Sequence, residues 1–564
     1  MGVKHFYIYI SKNFGKTCIN KSKETFKTKN IHNVCIDMNG IIHNCSQEVY
    51  EYGNFKKKRL LTHKNKLTFK NQLKLFNRIC TNISEIKDCI QPSKRIILCT
   101  DGVAGCGKMA QQRQRRFKSA EDYDENEFNS HCISTGTQFM SYLSKYIDWY
   151  IRFKQQTDED WKSLEVVFSN EKVPGEGEHK IINYIRKFGK ESESFCIHGL
   201  DADLIMLGMS LNKNNIYILR DNISRYGGYD SHLIDISLLK HEIIKRISWN
   251  EDENKKVSFY KDKGITDFVF MCFLVGNDFL PNIPSLAILD GGIDSMIDVY
   301  KNVCKEYGHL TRTKRVLGNM LELKSLEVFL GTLAQYEKGL LEEKYKNISQ
   351  FIDDPLLKKY FDGNKFDFEG YKKEFYQTKV GIESEDEKTQ VCMNYIEGLD
   401  WVINYYKIGM PSWNWYYKRF YAPFLSDIAE CVKNYNHDWK KNMGQPLTSI
   451  EQLMCVLPKC SQYLLPKPYD TNLIKQFPHF YPTEIKFDCT GKRREWEGIV
   501  IVSMVDTNKI REYNDKSKTE EIKRLEMVGK EFTYNYVNNN KGGRTFKSYY
   551  GDIVNSKVFK RVLE

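Results

Sequence analysis

Short runs rich in Val, Ile and other apolar residues recur through the first part of the chain and have the length of β-strands. Between them lie segments such as 180–185, in which apolar residues repeat at helical spacing. This alternation predicts an α/β fold with a mostly parallel central sheet flanked by helices. We expect helical additions and a smaller C-terminal region around that core. The predicted strands are residues 34–37, 95–100, 165–169, 195–197 and 215–220.

Acidic residues stand where these apolar elements begin or end. Glu176 and Glu178 are separated by one residue, at a turn rich in Gly and Pro that leads into a helix. Asp201 and Asp203 have the same spacing after the apolar run 195–197. Open α/β sheets bind their ligands at the carboxyl ends of their strands, so these acids are candidate ligands. The complete candidate set is Asp37, Asp101, Glu176, Glu178, Asp201, Asp203 and Asp278.

Carboxylates gathered in one place repel one another and stay ionised only when cations neutralise them. The pattern therefore predicts a divalent-cation site with oxygen ligands. The competing interpretation is that single Asp-x-Asp and Glu-x-Glu pairs are solvated loops, as charged residues usually are. Asp37 is equally typical of a helix N-cap. Both acidic pairs border apolar elements, and this favours the cation site.

A glycine-rich turn at 102–107 leads into a basic helix. Its spacing is not that of a Walker A loop. On the helix, one face carries residues at i, i+4, i+7 and i+8, and a helix N-terminus attracts anions. An exposed basic face is the alternative. The predicted anion-binding face consists of Lys108, Gln112, Arg115 and Arg116.

Composition narrows the class of partner. The chain has 85 Lys and Arg against 73 Asp and Glu, a formal net charge of +12, which favours a polyanionic partner. The basic stretch 56–70 is a weak candidate guide for a nucleic-acid strand. The 16 cysteines include no Cys-x-x-Cys pair, which indicates scattered thiols in a reducing compartment. No apolar run approaches membrane-spanning length, so we expect an intracellular protein without a membrane partner.

Six groups of residues resemble motifs of the Xrn family of 5′→3′ exoribonucleases and occur in the family's order. The most distinctive are Val-Pro-Gly-Glu-Gly-Glu-His-Lys-Ile at 173–181 and Gly-Leu-Asp-Ala-Asp-Leu at 199–204. The others are 1–3, 36–44, 101–117 and Gly-Asn-Asp-Phe-Leu-Pro at 276–281. Weaker matches follow between 397 and 497, so the resemblance covers about residues 1–300 and 390–505.

The resemblance implies a core like that of PIN and flap nucleases, in four parts. These are a first conserved region at 1–300, a largely helical connector at 301–389, a second conserved region packing on the active site at 390–505, and a C-terminal module or tail at 506–564. The family's activity would be processive 5′→3′ degradation of 5′-monophosphorylated single-stranded RNA to nucleoside monophosphates. The long C-terminal extension of cytoplasmic members is expected to be absent, although small likenesses favour that branch over the nuclear one.

Carried over by position, the resemblance also assigns site residues. The seven acids would hold two Mg²⁺ or Mn²⁺ ions, and the face from Lys108 to Arg116 would bind the 5′-monophosphate. His43 would stack on the terminal base together with Trp413 or Trp415, and the choice between the two stays open. Protein partners are not predicted.

One departure from the family pattern bears on this assignment. Gly105-Cys106-Gly107 replaces a stiffer and more basic turn, which predicts a weaker preference for 5′-monophosphate ends. Two rival functions remain: a flap-type structure-specific DNA nuclease and a catalytically silent RNA-binding scaffold. The region around Trp413 and the Gly-Lys-x-x-x-Trp-Glu segment at 491–497 argue against the first, and the intact acids argue against the second.

Overall fold

A computed structural model describes residues 3, 5–55, 68–121, 127–223, 229–249, 257–346, 353–363, 365–492, 497–538 and 543–563. Most of the basic stretch 56–70, and Trp496 of the segment 491–497, lie outside these described residues. Within them, no helix is both long and apolar enough to cross a bilayer.

Fifteen strands are formed by the described residues. In chain order they are β1 (Ile19–Asn20), β2 (Asn33–Asp37), β3 (Arg95–Cys99), β4 (Glu165–Ser169), β5 (Phe195–His198), β6 (Ile216–Ile223), β7 (Tyr229–Asp235), β8 (Phe361–Asp362), β9 (Lys365–Phe366), β10 (Lys486–Asp488), β11 (Ile499–Ile501), β12 (Phe532–Tyr536), β13 (Arg544–Phe546), β14 (Ile553–Ser556) and β15 (Val558–Val562).

Helices dominate the rest of the described chain. They are α1 (Phe6–Cys18), α2 (Lys23–Lys27), α3 (Met38–Tyr50), α4 (Phe69–Ile90), α5 (Cys106–Ser119), α6 (Gln138–Thr157), α7 (Glu159–Lys162), α8 (Gly177–Phe188), α9 (Asp203–Ser210), α10 (Ile236–Ile247), α11 (Lys261–Phe273), α12 (Gly292–Tyr307), α13 (Leu323–Ala334), α14 (Glu337–Lys346), α15 (Pro355–Lys359), α16 (Phe368–Phe375), α17 (Glu385–Lys407), α18 (Leu425–Val432), α19 (Ser449–Val456), α20 (Tyr469–Gln476), α21 (Thr507–Ser517) and α22 (Glu520–Leu525).

Nine strands make one central sheet in the order β1-β7-β6-β5-β2-β3-β4-β12-β15. The five middle strands, β6-β5-β2-β3-β4, are parallel, and they are the five strands predicted from the sequence. The flanking strands on both edges pair antiparallel. The expected α/β fold with a mostly parallel sheet is therefore confirmed.

Both faces of the sheet are covered, because successive residues of a strand point to opposite sides. In β2, Val34 and Ile36 pack into a core shared with α3, α4 and α6. Cys35 points the other way, into a core shared with α1, α8, α9 and α11. All three side chains are fully buried, which explains why the strand reads as a continuous apolar run.

The C-terminal region completes the central sheet. β12 pairs with β4 in the register Phe532↔Phe168, and β15 pairs with β12. The sequence predicts a C-terminal module or tail at residues 506–564. Two strands of this range extend the sheet that carries the acids and cover β4, which would otherwise be an exposed edge with unpaired backbone groups.

A third core joins α5 to the second conserved region. Met109, Arg113 and Phe117 lie on one side of α5 and pack with α19 and α21. The buried guanidinium of Arg113 donates to the carbonyls of Cys455 at 2.7 Å and Ser503 at 2.8 Å. This anchoring fixes the direction in which the opposite face of α5 points.

Candidate active site

The candidate acids lie together at the carboxyl edge of the parallel strands. Asp37 ends β2, Asp101 lies two residues beyond β3, and Asp201 lies in the loop between β5 and α9. Asp203 is the first residue of α9, and Asp278 follows α11 in the turn 276–281. Glu176 and Glu178 flank the first residue of α8, on the loop that leaves β4. These strands, helices and loops thus place all seven acids at one edge of the sheet.

Close packing at the start of α8 brings three of these segments into contact. Gly177 donates its N–H to Asp101 Oδ1 at 2.6 Å. A Cβ added to Gly177 would lie 2.7 Å from Asp37 Oδ1 and 3.4 Å from Asp101 Oδ1. Both carboxylates therefore press against the backbone between Glu176 and Glu178, and only glycine fits there.

Asn39 orients Asp101. Its side-chain nitrogen donates to Asp101 Oδ2 at 2.8 Å, and its side-chain oxygen accepts from the Asp101 N–H at 3.0 Å. Asp37 meanwhile accepts the Asn39 N–H at 3.3 Å and caps α3. Asp37 is thus an N-cap and also a member of the acidic cluster, so the two interpretations of this residue are compatible.

Lys108 lies in the middle of the acids. Its ammonium is 2.7 Å from Glu176 Oε2 and 2.8 Å from Asp278 Oδ2. Burial disfavours the charge, but Asp278, Glu176 and Glu178 outweigh it and hold the Lys108 pKa well above its usual range. The Tyr405 hydroxyl from α17 donates to Glu176 Oε1 at 2.9 Å. In this arrangement Lys108 contacts carboxylates rather than extending the anion-binding face.

Three other acids, Asp37, Glu178 and Asp203, have more negative charge around them than their surroundings balance. Burial, and then Asp101 and Asp201, raise the pKa of Asp37 well above its usual range. Burial also raises the pKa of Glu178 well above its usual range, with only partial compensation by Lys108. Burial and the nearby Asp278 raise the pKa of Asp203 to about 7. The cluster therefore favours the arrival of further positive charge.

The donor chemistry fits oxygen-preferring divalent cations. All seven candidate ligands are carboxylates, the donors that Mg²⁺ and Mn²⁺ favour. Glu178 Oε2 is buried and makes no hydrogen bond within the described chain. As the side chains stand, no three His, Cys, Asp or Glu residues of the described ranges are placed to hold one ion together.

The exposed face of α5 lies next to this cluster. Arg116 Nη1 is buried without a hydrogen-bond partner among the described residues, and the same is true of Gln112 Oε1. Burial and the neighbouring Arg115 lower the Arg116 pKa to about 9, so its charge is poorly compensated. Arg115 itself is exposed and borders a cavity of about 360 Å³ that Asp278 also lines. Arg116 and Gln112 do not line that cavity, but Arg115 and Arg116 lie close enough to act on each other and on His43, and we call Gln112, Arg115 and Arg116 the cationic pocket.

His43 lies on α3, near this pocket. Burial and then Arg115 and Arg116 lower the His43 pKa to about 4, because both guanidinium groups repel an imidazolium. The ring is therefore neutral at pH 7 and lies near Arg115 and Arg116. Its surface is partly open. This is compatible with the predicted contact to a terminal base.

The two candidate tryptophans differ in their surroundings. Trp415 stacks on the buried Trp401 with ring centres 5.1 Å apart and packs against the core around α17. The Trp413 ring is half-buried and belongs to none of the hydrophobic cores formed by described residues. The Trp413 carbonyl accepts the Cys106 N–H at 2.8 Å, at the start of α5. Trp413 is therefore the better candidate for a stacking ring.

The turn before α5 is held on several sides. Gly102 donates to the Gly175 carbonyl at 2.9 Å, and a Cβ on Gly102 would lie 1.8 Å from the Val173 carbonyl oxygen. Ala104 donates to Gln452 Oε1 at 2.8 Å. A Cβ on Gly105 would meet Met410 at 3.2 Å. The Gly-Cys-Gly sequence thus allows close packing against the second conserved region.

Sequence reasoning missed three positioning side chains. Asn39 was visible two residues after Asp37, but nothing local showed that it would hold Asp101. Tyr405 reaches Glu176 from more than two hundred residues away. Arg220, on β6, donates to the Leu200 carbonyl and supports the loop that carries Asp201. Only the tertiary structure reveals the last two.

The fold and site define an α/β protein in which an oxygen-donor cluster and a cationic pocket meet at the carboxyl edge of a parallel sheet. Residues 1–222 match the family described as the XRN 5′-3′ exonuclease N-terminus, and residues 258–364 and 338–557 match the Xrn1 helical domain. The chain belongs to this family of XRN 5′-3′ exonucleases, as the sequence motifs indicated.

The names of curated relatives agree with this family assignment. The chain is 30% identical to 5′-3′ exoribonuclease 1 of Homo sapiens, over 93% of this chain and 35% of that protein. It is 27% identical to 5′-3′ exoribonuclease 1 of Saccharomyces cerevisiae, over 98% of this chain and 46% of that protein. The chain thus spans less than half the length of these curated relatives. A solved structure of the catalytic core of Rad2 in complex with DNA substrate is similar at a TM-score of 0.34 and 13% identity, over 79% of this chain and 96% of that one.

Proposed function

We propose that this protein is a metal-dependent 5′→3′ exoribonuclease that degrades 5′-monophosphorylated single-stranded RNA processively to nucleoside monophosphates. Family membership supports the reaction class. The observation that carries the proposal is the adjacency of the acidic cluster and the cationic pocket. Lys108 joins Glu176 to Asp278, while Arg116, two turns further along the same helix, has a buried donor without a partner among the residues that the structure describes.

The acids would hold two Mg²⁺ or Mn²⁺ ions, with Asp37, Glu178, Asp201 and Asp203 as the direct ligands. When bound, such ions supply an activated water and stabilise the leaving oxygen of a phosphodiester. Asn39 keeps the Asp101 carboxylate in a fixed orientation through its two hydrogen bonds. The protein's own contribution is therefore to fix the acids before any substrate arrives.

The pocket on α5 would determine which end of the RNA is attacked. A 5′-monophosphate would accept charge-assisted hydrogen bonds from Arg115 and Arg116 and from Gln112, whose side-chain amide presents its nitrogen after rotation. Phosphate contacts set the register of a nucleic acid on a protein. Neutral His43 and the half-buried ring of Trp413 would then hold the first base, because stacking tolerates every base.

The cellular compartment of the activity is proposed from sequence motifs. The sequence around Tyr9-Ile10-Ser11 and the Gly-Leu-Asp-Ala-Asp motif resemble the cytoplasmic branch of the family. We propose the cytoplasm rather than the nucleus as the working compartment. Fractionation of cells that express the tagged chain, followed by immunoblotting, tests this directly.

The test of the activity compares end-labelled RNAs of one sequence that carry a 5′-monophosphate, a 5′-hydroxyl or a 5′-triphosphate, with and without Mg²⁺. We expect decay that needs Mg²⁺, releases nucleoside monophosphates and is fastest on the monophosphate. Arg115→Ala/Arg116→Ala should reduce that preference by about tenfold or more, since each arginine contributes about 1.5–3 kcal/mol. Arg524→Ala, an exposed arginine on α22, is the matched control and should keep it.

Two results would contradict the proposal. Equal decay of all three RNAs by the wild type would contradict the assignment of the 5′-monophosphate to the cationic pocket. The proposal that the protein hydrolyses RNA would still stand. Degradation of a matched flap DNA in place of RNA would instead favour the flap-nuclease alternative.

A further inference from the structure

A second cavity, of about 710 Å³, lies between α4, α6 and the C-terminal strands. None of the seven acids or the anion-binding residues of α5 lines it. We call it the C-terminal groove and define it by Phe69, Tyr142, Lys145, Glu171, Lys547 and Tyr549. Its walls come from the first conserved region and from residues 532–560, which the sheet brings together.

The mouth of the groove presents exposed aromatic rings. Phe69 is 53% exposed, Tyr142 38% and Tyr549 80%. The rings of Phe69 and Tyr549 touch edge to face, with centres 5.6 Å apart across the groove. Exposed apolar side chains are informative when they form a contiguous patch rather than standing singly. Flat rings at a cavity mouth are suited to stacking with another flat group.

Lysines surround these rings. Lys145, Lys172 and Lys547 are exposed, and none of them pairs with a carboxylate in the part of the chain that the structure describes. Lys145 Nζ lies 5.7 Å from the centre of the Tyr142 ring. Lys560 differs, because its ammonium binds Asp148 at 2.6 Å. The rim therefore carries three positive charges that attract an anion.

The floor of the groove has the opposite character. Glu171 is only 3% exposed and accepts a hydrogen bond from the Ser144 hydroxyl. A phosphate would be repelled from that carboxylate, whereas the amino group of a nucleobase could donate to it. Anions are thus favoured at the rim, and flat polar groups with N–H donors are favoured inside.

We propose that the C-terminal groove is a second binding site for single-stranded RNA, with bases inserted among the aromatic rings and phosphates held by the rim lysines. Aromatic platforms lined by basic residues are the usual means of binding single strands without sequence preference. Glu171 and Lys172 lie on the same β4–α8 loop that continues to Glu176. The groove therefore adjoins the far side of a catalytic loop. This inference rests on RNA being the substrate of the proposed function.

The test measures RNA binding with the 5′ end excluded from the active site. A single-stranded RNA of about 12 nucleotides, carrying fluorescein on its 5′ end, is titrated with the full chain in EDTA and followed by anisotropy. Phe69→Ala/Tyr549→Ala should weaken binding by about tenfold, and Tyr549→Phe should not. Lys145→Gln/Lys547→Gln should lower the slope of log affinity against log salt by about 1.4.

Matched controls distinguish RNA binding in the groove from nonspecific binding to exposed aromatic side chains. Tyr336 and Tyr463 are 57% and 58% exposed and lie outside the groove, so Tyr336→Ala/Tyr463→Ala should bind like the wild type. Hydrolysis of a 5′-phosphorylated dinucleotide, too short to reach the groove, should be the same in all variants. Duplex RNA of the same sequence should compete poorly, because its bases are not available.

The outcomes are distinguishable from failure of the exonuclease itself. Unchanged affinity of Phe69→Ala/Tyr549→Ala, or equal competition by the duplex, would overturn the groove proposal even if hydrolysis occurs. If blocked RNA binds through the groove but 5′-phosphorylated RNA is not hydrolysed, the groove proposal stands and the proposed exonuclease activity is contradicted. If blocked RNA does not bind the wild type, the groove proposal is also overturned. A protein segment would then be the better candidate for the occupant of the groove.

Discussion

Buried carboxylates occur in two regions of this protein, and they are treated in opposite ways. In the packed helices α11–α18, which we call the helical region, Asp267 accepts hydrogen bonds from Tyr300, His309, Leu310 and Thr311 at 2.5–3.2 Å. At the sheet edge, Glu178 has an oxygen with no partner among the described residues. Both carboxylates are buried, so burial alone does not distinguish a structural acid from a functional one.

The difference lies in what neutralises the charge. Around Asp267, fixed neutral donors and a histidine satisfy both oxygens, and the acid joins α11, α12 and the segment after it. At the sheet edge, one lysine faces several acids, and Asp37, Glu178 and Asp203 keep raised pKa values. A buried acid with saturated donors holds the fold together, whereas one left short of donors is available to a cation.

The largest effect is expected at the sheet edge. Glu178→Gln should lower RNA hydrolysis in Mg²⁺ by more than about 100-fold, because even outer groups of metal sites contribute about 10- to 100-fold. The melting temperature should stay level or rise, since a repelled charge is removed. Time courses on 5′-monophosphorylated RNA and thermal unfolding measure the two effects. Hydrolysis at the wild-type rate would take Glu178 out of the site.

A second variant should do the reverse in the helical region. Asp400→Ala leaves the Tyr435 hydroxyl, the Trp439 indole N–H and the Met320 N–H without their acceptor. The free energy of unfolding in urea should fall by about 3 kcal/mol or more. Hydrolysis by the folded fraction should persist. The control is Asp386→Ala, an exposed acid of the same helix, and a similar loss there would contradict the argument.

The two tryptophans repeat the contrast on a smaller scale. Trp413→Ala should shorten processive runs with little change in melting temperature, since its ring lies outside the described cores and stacking contributes about 1–3 kcal/mol per base. Trp415→Ala should lower the melting temperature because it removes the ring stacked on Trp401. Product lengths under single-turnover conditions and calorimetry decide between them. Identical behaviour of both variants would remove the distinction.

The last expected effect is a pH dependence of stability from Glu337. Burial raises its pKa from 4.5 to about 7 in spite of hydrogen bonds from Leu425 and Ser426. The folded state therefore holds a proton that the unfolded chain has lost between pH 4.5 and 7. This contribution is fully present below pH 4.5 and is lost as the pH rises through about 7.

The measurement compares urea unfolding of the wild type and Glu337→Gln across that window. The free energy of unfolding of the wild type should fall relative to the variant by at most about 1.4 kcal/mol per pH unit. Above pH 7 the difference should become constant. Parallel curves from pH 5 to 7 would show that Glu337 does not titrate as described.

Much of the fold was predictable because its signals are local. The five parallel strands are apolar runs buried on both faces, and each acid follows or precedes one element at a fixed offset. The family motifs added the order and the expected roles. Parallel strands then force their carboxyl ends onto one edge, so the acidic cluster followed without knowledge of any long-range contact.

The rest depends on contacts between distant segments. The pattern placed Lys108 on the anion-binding face, but its ammonium reaches Glu176 and Asp278 instead. Trp413 and Trp415 look alike in the chain, and only the position of Trp401 separates them. The pairing of β12 with β4 left no signal, because a short strand of mixed polarity reads like the surrounding loop.

The pairing of β12 with β4 also determines when the central sheet can be completed during translation. β4 is complete at Ser169, but its neighbour begins only at Phe532. At about 5–20 residues per second, a ribosome needs roughly 20–70 seconds to make the residues between them. Throughout that time the growing polypeptide has an open sheet edge, which invites pairing with other chains. The nascent chain should therefore depend on chaperones more than its parallel core alone would, because the central sheet is completed only after β12 has been made.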